Sequence, residues 1–232
     1  MPYRPTALTR KNAADKRAAL LRAARALVAA DGFRAATVAA IAARGQASVG
    51  SVYSHFDSRD LLLAEVFRSA ASHELAVVRD AVADTGQPAT DRLGDLIRVF
   101  GGRALQGRRM AWALLFEPVN PAVEAERLTY RRSYTEITEQ IVRSGQERGE
   151  FLPQDTGLAA SAVLGAISEA LVGWLRPESP PPLPQAQADV VDGIRLFCLR
   201  ALTPPVPAPP VPPGTGAGSA RRPHRQDRRV GP

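Results

Sequence analysis

The sequence predicts an all-α protein: a small N-terminal unit of three helices followed by a larger, wholly helical domain. Alanine dominates an otherwise ordinary apolar content, and alanine is the strongest helix former. Apolar residues recur at i, i+3 and i+4 in one run after another, the period of a helix with one face on a core. Between the runs stand Gly45, Thr85-Gly86-Gln87-Pro88, Gly107, Asn120-Pro121 and Gly149 to Pro153, residues that stop or start helices. A chain of 232 residues can hold one or two domains with ample core.

Residues 1–11 form a basic arm carrying Pro2, Arg4, Pro5, Arg10 and Lys11, which is expected to be irregular. A first helix runs from Asn12 to about Ala30. Leu20, Leu21, Ala24, Leu27 and Val28 make its apolar stripe, and Lys16, Arg17, Arg22 and Arg25 face solvent or phosphate. Gly32 closes this helix, and Phe33 can fold back to pack. The chain is organised around residues 37–56, TVAAIAARGQASVGSVYSHF. Thr37 caps a short helix whose Val38, Ile41 and Ala42 share one face, because its hydroxyl can accept from an orphaned backbone N–H. Gly45-Gln46-Ala47 supplies a turn, and Ser48 caps a second short helix ending near His55. Val52 and Phe56 turn inward there, while Gly50, Ser51, Ser54 and His55 leave a small, polar outer face. The DNA major groove admits such a helix, with its N-terminal residues reaching base edges. The same spacing also fits an ordinary helical hairpin.

Ser58 caps a fourth helix that runs to about Ala83. Leu62, Leu63, Val66, Phe67 and Ala70 form its inner stripe, continued by Val77, Val78 and Ala81, so the helix links the first unit to the next. A fifth helix, about Thr90 to Ala104, shows Leu93, Leu96, Ile97 and Phe100. The sixth holds Met110, Trp112, Leu114, Leu115 and Phe116; it is too apolar all round for a surface helix and should be buried. Pro121 opens a seventh, with Tyr130, Tyr134, Ile137 and Ile141 on one face. Asp155 caps an eighth, to about Leu175, dense in small residues such as Ala162, Gly165 and Ala166. An extended proline-rich connector, 177–184, leads to a ninth helix from about Gln185 to Leu202 with Val190, Ile194 and Phe197 on one face. Residues 203–232 hold nine prolines, four glycines and five arginines and should form a disordered tail. The resulting division is 1–11 arm, 12–57 three-helix domain, 58–202 helical domain and 203–232 tail.

Charge is unevenly placed. Residues 1–60 carry a net +6, residues 61–202 a net −3 and the tail a net +4, within a chain of +7. Positive charge thus gathers on the segment with the two short helices and on the tail, and a basic face attracts phosphate in a salt-screened, sequence-independent way. The chemistry of an enzyme is missing. His55, His73, His224 and the single Cys198 have no metal-ligand spacing, so no metal or cofactor is expected. Ser48 lacks the flanking glycine of a hydrolase elbow, Gly214-Thr-Gly216-Ala-Gly218 lies in the proline-rich tail rather than between a strand and a helix, and Glu124 and Glu126 do not face each other on a helix. One cysteine, no signal-peptide core and no uninterrupted apolar stretch of membrane-spanning length point to a cytoplasmic protein without a membrane contact.

Gly32-Phe33, Thr37-Val38-x-x-Ile41-Ala42 and Ser48-x-Gly50-Ser51-Val52-Tyr53-x-His55-Phe56-x-Ser58-Arg59-Asp60-Leu61-Leu62 resemble the N-terminal domain of tetracycline-repressor-type (TetR-like) transcriptional regulators. The resemblance covers roughly residues 12 to 66. It departs from the family at Gly45-Gln46-Ala47, where Ala-Gly-Val is usual, and at Arg59, where Lys is common. The resemblance implies a helix-turn-helix that meets DNA through Thr37, Ser48, Ser51, Tyr53, His55 and Arg59, with Tyr53 and Arg59 on phosphates. Val49 and Gly50 stand where base-facing residues stand, and Ser54 lies on the same outer face. It also implies a ligand cavity in the second domain, for which Phe100, Met110, Trp112, Phe116, Tyr130 and Tyr134 are the candidates; a stripe of this kind also serves as plain core. Glu117 beside it suits either a cationic ligand or a capping role.

The expected function is a transcriptional repressor that binds double-stranded DNA at a palindromic operator as a homodimer and is released by an unidentified small-molecule ligand. The alternative is a constitutive or architectural nucleic-acid-binding protein with no ligand response. The dimer would form where the eighth and ninth helices leave Ala162, Gly165, Ala166, Val190, Ile194 and Phe197 without a covering element.

Overall fold

The computed structural model describes residues 7–205. Most of the basic arm and of the proline- and arginine-rich tail expected from sequence lies outside the described residues. Those described are helical and loop, with no strand among them: α1 (Ala7–Ala35), α2 (Val38–Arg44), α3 (Val49–Tyr53), α4 (Arg59–Ala81), α5 (Ala89–Gln106), α6 (Arg108–Leu115), α7 (Pro121–Glu147), α8 (Thr156–Leu175) and α9 (Pro184–Leu202).

The side-chain caps read from sequence are made. Thr37 Oγ1 accepts from the Ala40 N–H at 3.1 Å, Ser48 Oγ from Ser51 at 3.1 Å, Ser58 Oγ from Leu61 at 3.1 Å and Asp155 Oδ1 from Leu158 at 2.6 Å. Asn120 does the same for α7, with Pro121 in its first turn. α1 differs from expectation at both ends. It takes in residues 7–11 of the expected irregular arm, and the chain resumes a helical turn after Gly32, whose φ of 83° and ψ of 179° break the helix in a region open essentially to glycine alone.

Apolar side chains gather in two cores. The first joins Leu20, Val28, Phe33, Ile41, Val52, Phe56 and the front half of α4, and it also takes Ala113 and Leu114 of α6 and Val123 of α7. The second runs from Leu75 on α4 through α5, α7, α8 and α9 to Leu202. α4 therefore passes from one core into the other between Ala71 and Leu75. The sixth helix corrects an expectation. Of its residues only Ala113 and Leu114 are buried; Met110, Ala111 and Leu115 border a cavity, which accounts for apolarity on more than one side.

α8 is long and apolar enough to cross a bilayer, with 20 residues and a mean hydropathy of 1.7. This qualifies the expectation that nothing in the chain spans a membrane. Its Ala160, Val163, Ile167, Leu171 and Leu175 are buried against α5, α6, α7 and α9, while Leu158, Ala162, Gly165 and Trp174 are exposed. Arg108 holds the C-terminal end of α8, donating to the carbonyls of Trp174, Arg176 and Ser179 at 2.7–3.1 Å.

Candidate DNA-reading unit and inner cavity

α2 and α3 present the outer face that their sequence predicts. Ile41, Ala42, Val52 and Phe56 are buried beneath, while Thr37, Ser48, Gly50 and Ser54 are exposed and Ser51 and His55 half-buried. Val49 and Tyr53, both large and apolar enough to seek cover, stay 46% and 54% exposed on α3. Ser54 Oγ donates to the Ser51 carbonyl at 2.8 Å, so this hydroxyl is engaged within the helix. A Cβ at Gly50 would meet only the Ser48 hydroxyl, at 3.9 Å, which leaves the front of α3 open to a close approach.

The turn between them is built differently from the usual pattern. Gly45 has an ordinary φ of −84°, and Gln46 takes the left-handed φ of 51°. Gly45 is needed for space: a Cβ there would lie 3.0 Å from Leu20 Cδ2 and 3.1 Å from the Ile41 carbonyl. Gly45 therefore seats the turn on α1 but does not relieve it, and the strained conformation falls on Gln46. Arg22, Arg44 and Gln46 border a shallow groove beside the turn. Sequence reading passed over Arg44, which no periodicity separates from any other solvated arginine.

Two arginines turn out to be structural. Arg59, expected on a phosphate, donates Nε to the Ala36 carbonyl at 2.9 Å and Nη2 to the Phe33 carbonyl at 2.7 Å. It ties α4 to the link between α1 and α2, a structural role beside the expected phosphate contact. Arg17 pairs with Glu65 and lies over the Phe56 ring at 4.6 Å, clamping α1 to α4.

A cavity of about 160 Å³ opens among α4, α5, α6, α7 and α8. Phe100, Met110, Tyr130 and Tyr134 line it, with Phe67, Val78 and Leu164. Phe100 and Tyr134 meet edge to face at 5.4 Å. Trp112 and Phe116 do not line the cavity; they sit a turn apart on another side of α6, their rings 5.3 Å from each other against the second core. The polar lining is Glu74, Arg103, Arg127, Arg131, Tyr134 and Ser168. Glu74 and Arg103 form a two-bonded ion pair at 2.5 and 2.9 Å. Burial, with the Glu74 carboxylate nearby, raises the Tyr134 phenol above its ordinary range, so this hydroxyl stays protonated.

Glu117 has the capping role. It is 7% exposed, and its carboxylate accepts from the backbone N–H groups of Phe33 at 2.9 Å and Arg34 at 3.1 Å, just past the break in α1. It lies outside the cavity lining, so the reading of Glu117 as a partner for a cationic ligand is withdrawn. Arg127 holds the same corner, donating to the carbonyls of Leu114, Ala113 and Glu117 and pairing with Glu124.

Residues 20–66 match the family model for bacterial regulatory proteins of the tetR family, and residues 86–194 match a tetracyclin repressor-like C-terminal domain. The chain belongs to the TetR family. The HTH-type transcriptional regulator UidR of Escherichia coli is 29% identical over 192 residues, covering 81% of this chain and 93% of UidR. FadR from Bacillus subtilis, solved in complex with stearoyl-CoA, superposes with a TM-score of 0.66 at 17% identity, covering 78% of this chain and 97% of that one. A Saccharomonospora viridis protein solved in complex with choline gives a TM-score of 0.69 at 18% identity, covering 83% and 100%. At these identities the two structures speak for the fold alone. The TetR-family chain is a DNA-binding transcriptional regulator.

The face expected to join two TetR-family copies is only partly as predicted. Ala162, Gly165 and Phe197 are exposed, Phe197 at 65%. Ile194 is buried in the protomer's own core, and Val190 and Ala166 are half-buried against that core, because α9 turns this side toward α5. Leu158, Trp174 and Leu196, exposed at 71%, 37% and 45%, are the large apolar residues that sequence reading left out. Their signal was weak: within so apolar a helix pair, periodicity does not separate the inward stripe from the outward one.

Proposed function

We propose that this TetR-family chain is a repressor that grips a palindromic operator as a homodimer and lets go when a small molecule fills the inner cavity. In this reading residues 12–57 read DNA and residues 58–202 hold the ligand and the second copy. The observation that carries it is that the cavity wall and the reading unit share their supports. α4 lines the cavity with Phe67, Ala71, Glu74 and Val78 and carries Arg59 at its start, bonded to the α1–α2 link. Met110, Leu114 and Leu115 of α6 line the same cavity just before Glu117, which binds the backbone of Phe33 and Arg34. A constitutive DNA-binding protein has no use for such a cavity at this junction.

Val49 and Gly50 face base edges in this reading, with Thr37, Ser48, Ser51, Tyr53, Ser54 and His55 around them on phosphates and groove walls. The second copy covers Leu158, Ala162, Gly165, Trp174, Leu196 and Phe197, the exposed small and large apolar residues of α8 and α9. Two-fold packing of α8 and α9 then sets the reading helices about one DNA turn, roughly 34–36 Å, or somewhat more apart. Selection from a random pool of duplex DNA tests this: an inverted repeat bound by an even number of chains is expected, and a pool with no enriched sequence would overturn the reading.

A further inference from the structure

The lining of the cavity also selects the class of molecule that fits it. Its inner wall is apolar, formed by Phe67, Val78, Phe100, Met110, Leu114 and Leu164. Its charged groups are one carboxylate, Glu74, and three guanidiniums, Arg103, Arg127 and Arg131. They differ in how far the protein itself satisfies them. Glu74 is neutralised by Arg103 through two bonds. Arg127 is saturated by carbonyls and by Glu124. The guanidinium of Arg131, one helical turn along α7 and exposed, makes no ion pair or hydrogen bond with any described residue, and its charge works against that of Arg127. A cation left without a counter-ion beside an apolar chamber, with the protonated Tyr134 hydroxyl and Ser168 also on the lining, offers donors where an anionic head would rest.

We propose that the cavity takes an amphiphile with an apolar chain and an anionic head, the chain inside against Phe100, Met110 and Leu164 and the head at Arg131. This rests on the cavity being the regulatory site, but it is read without DNA. The head could be a free carboxylate or an acyl thioester whose charged carrier stays outside the chamber; both present the same chain and negative charge to the protein.

Calorimetry with octanoate, 1-octanol and octyltrimethylammonium, all below micelle-forming concentrations, separates chain from head. Octanoate should bind at least about tenfold more tightly than octanol, the value of one charge-assisted contact, and the cation more weakly than octanol. Arg131→Gln should reduce octanoate to the affinity of octanol and leave octanol unchanged, while Arg131→Lys should restore part of the preference. Glu74→Gln, which removes the only lining carboxylate and frees Arg103, should tighten octanoate. Octanoyl thioester on a phosphorylated carrier, compared with octanoate, assigns the source: tighter binding that is lost in Arg131→Gln favours the thioester, and weaker binding favours the free acid. Equal affinity for octanoate and octanol, preference for the cation, or an unchanged octanoate affinity in Arg131→Gln would overturn the proposal even if the chain is released from DNA by some other molecule. Operator binding that ignores bound octanoate would instead count against the regulatory reading and leave the ligand class standing.

Discussion

Gly32 and Glu117 meet at a distance that only glycine allows. A Cβ on residue 32 would lie 2.5 Å from Glu117 Oε2, and the backbone there has φ 83°. The glycine lets the α1 backbone turn its Phe33 and Arg34 N–H groups onto the carboxylate. Gly32→Ala should therefore cost about 1–3 kcal/mol from the backbone conformation, before the clash with the carboxylate is added. Glu117→Gln, which keeps the size but loses the charge and one acceptor, should cost about 1.5–3 kcal/mol by loss of a charged hydrogen bond. Denaturant midpoints measure both, and a change below about 0.5 kcal/mol, the spread of ordinary surface substitutions, would show that this junction does not hold the domains together.

Arg59→Ala should lower stability by about 1–3 kcal/mol, because the carbonyls of Phe33 and Ala36 lose a charged donor in a half-buried setting. Its effect on DNA binding should follow from the loosened unit. Were Arg59 a simple phosphate contact, its loss would leave stability alone and reduce the salt slope of binding by about one unit. Thermal melting and a salt titration of the same variant distinguish these outcomes.

Gln46→Gly should raise stability by about 0.5–1 kcal/mol, since the left-handed conformation costs an ordinary side chain about 1–2 kcal/mol and the glycine gives part of that back to the unfolded chain. The Gly45→Ala variant should move the other way through its contacts with Leu20 and Ile41. Opposite signs in urea titrations are the expected pattern.

Phe197→Glu places a charge on the outward patch of α9, where the wild-type ring is 65% exposed. It should leave the secondary structure intact by circular dichroism and shift the chain from dimer toward monomer in sedimentation at micromolar concentration. Ile194→Glu should instead unfold the protomer, because Ile194 lies in its core. A dimer that survives Phe197→Glu unchanged would place the interface elsewhere.

The helices were legible wherever the sequence states a period and a cap. Thr37, Ser48, Ser58 and Asp155 each sit before an apolar stripe and each makes its cap bond. What escaped depends on pairs far apart in the chain. Arg59 looks like any basic residue near a reading helix until the fold brings Phe33 and Ala36 within its reach, and Glu117 stands 84 residues from the N–H that it accepts. Trp112 and Phe116 read as cavity residues because α6 is apolar on more than one side, and only the placement of α5 and α8 decides which side is hollow. Ile194 and Phe197 sit three apart, close enough to share a face on paper, yet in the packing of α9 on α5 one is buried and the other exposed. Local rules speak of neighbours at one turn; they are silent on which of two apolar faces meets the protomer's own core.

Filling the cavity and gripping the operator oppose each other through α4 and the Gly32–Glu117 junction, and such opposition must be reciprocal. Octanoate affinity is measured by calorimetry with and without the selected operator duplex, and operator affinity by anisotropy with and without saturating octanoate. Each should weaken the other by the same factor, about 5–150-fold for a coupling of about 1–3 kcal/mol, and Glu117→Gln should reduce this factor. Octanoate bound in the cavity with both affinities unchanged would contradict this opposition.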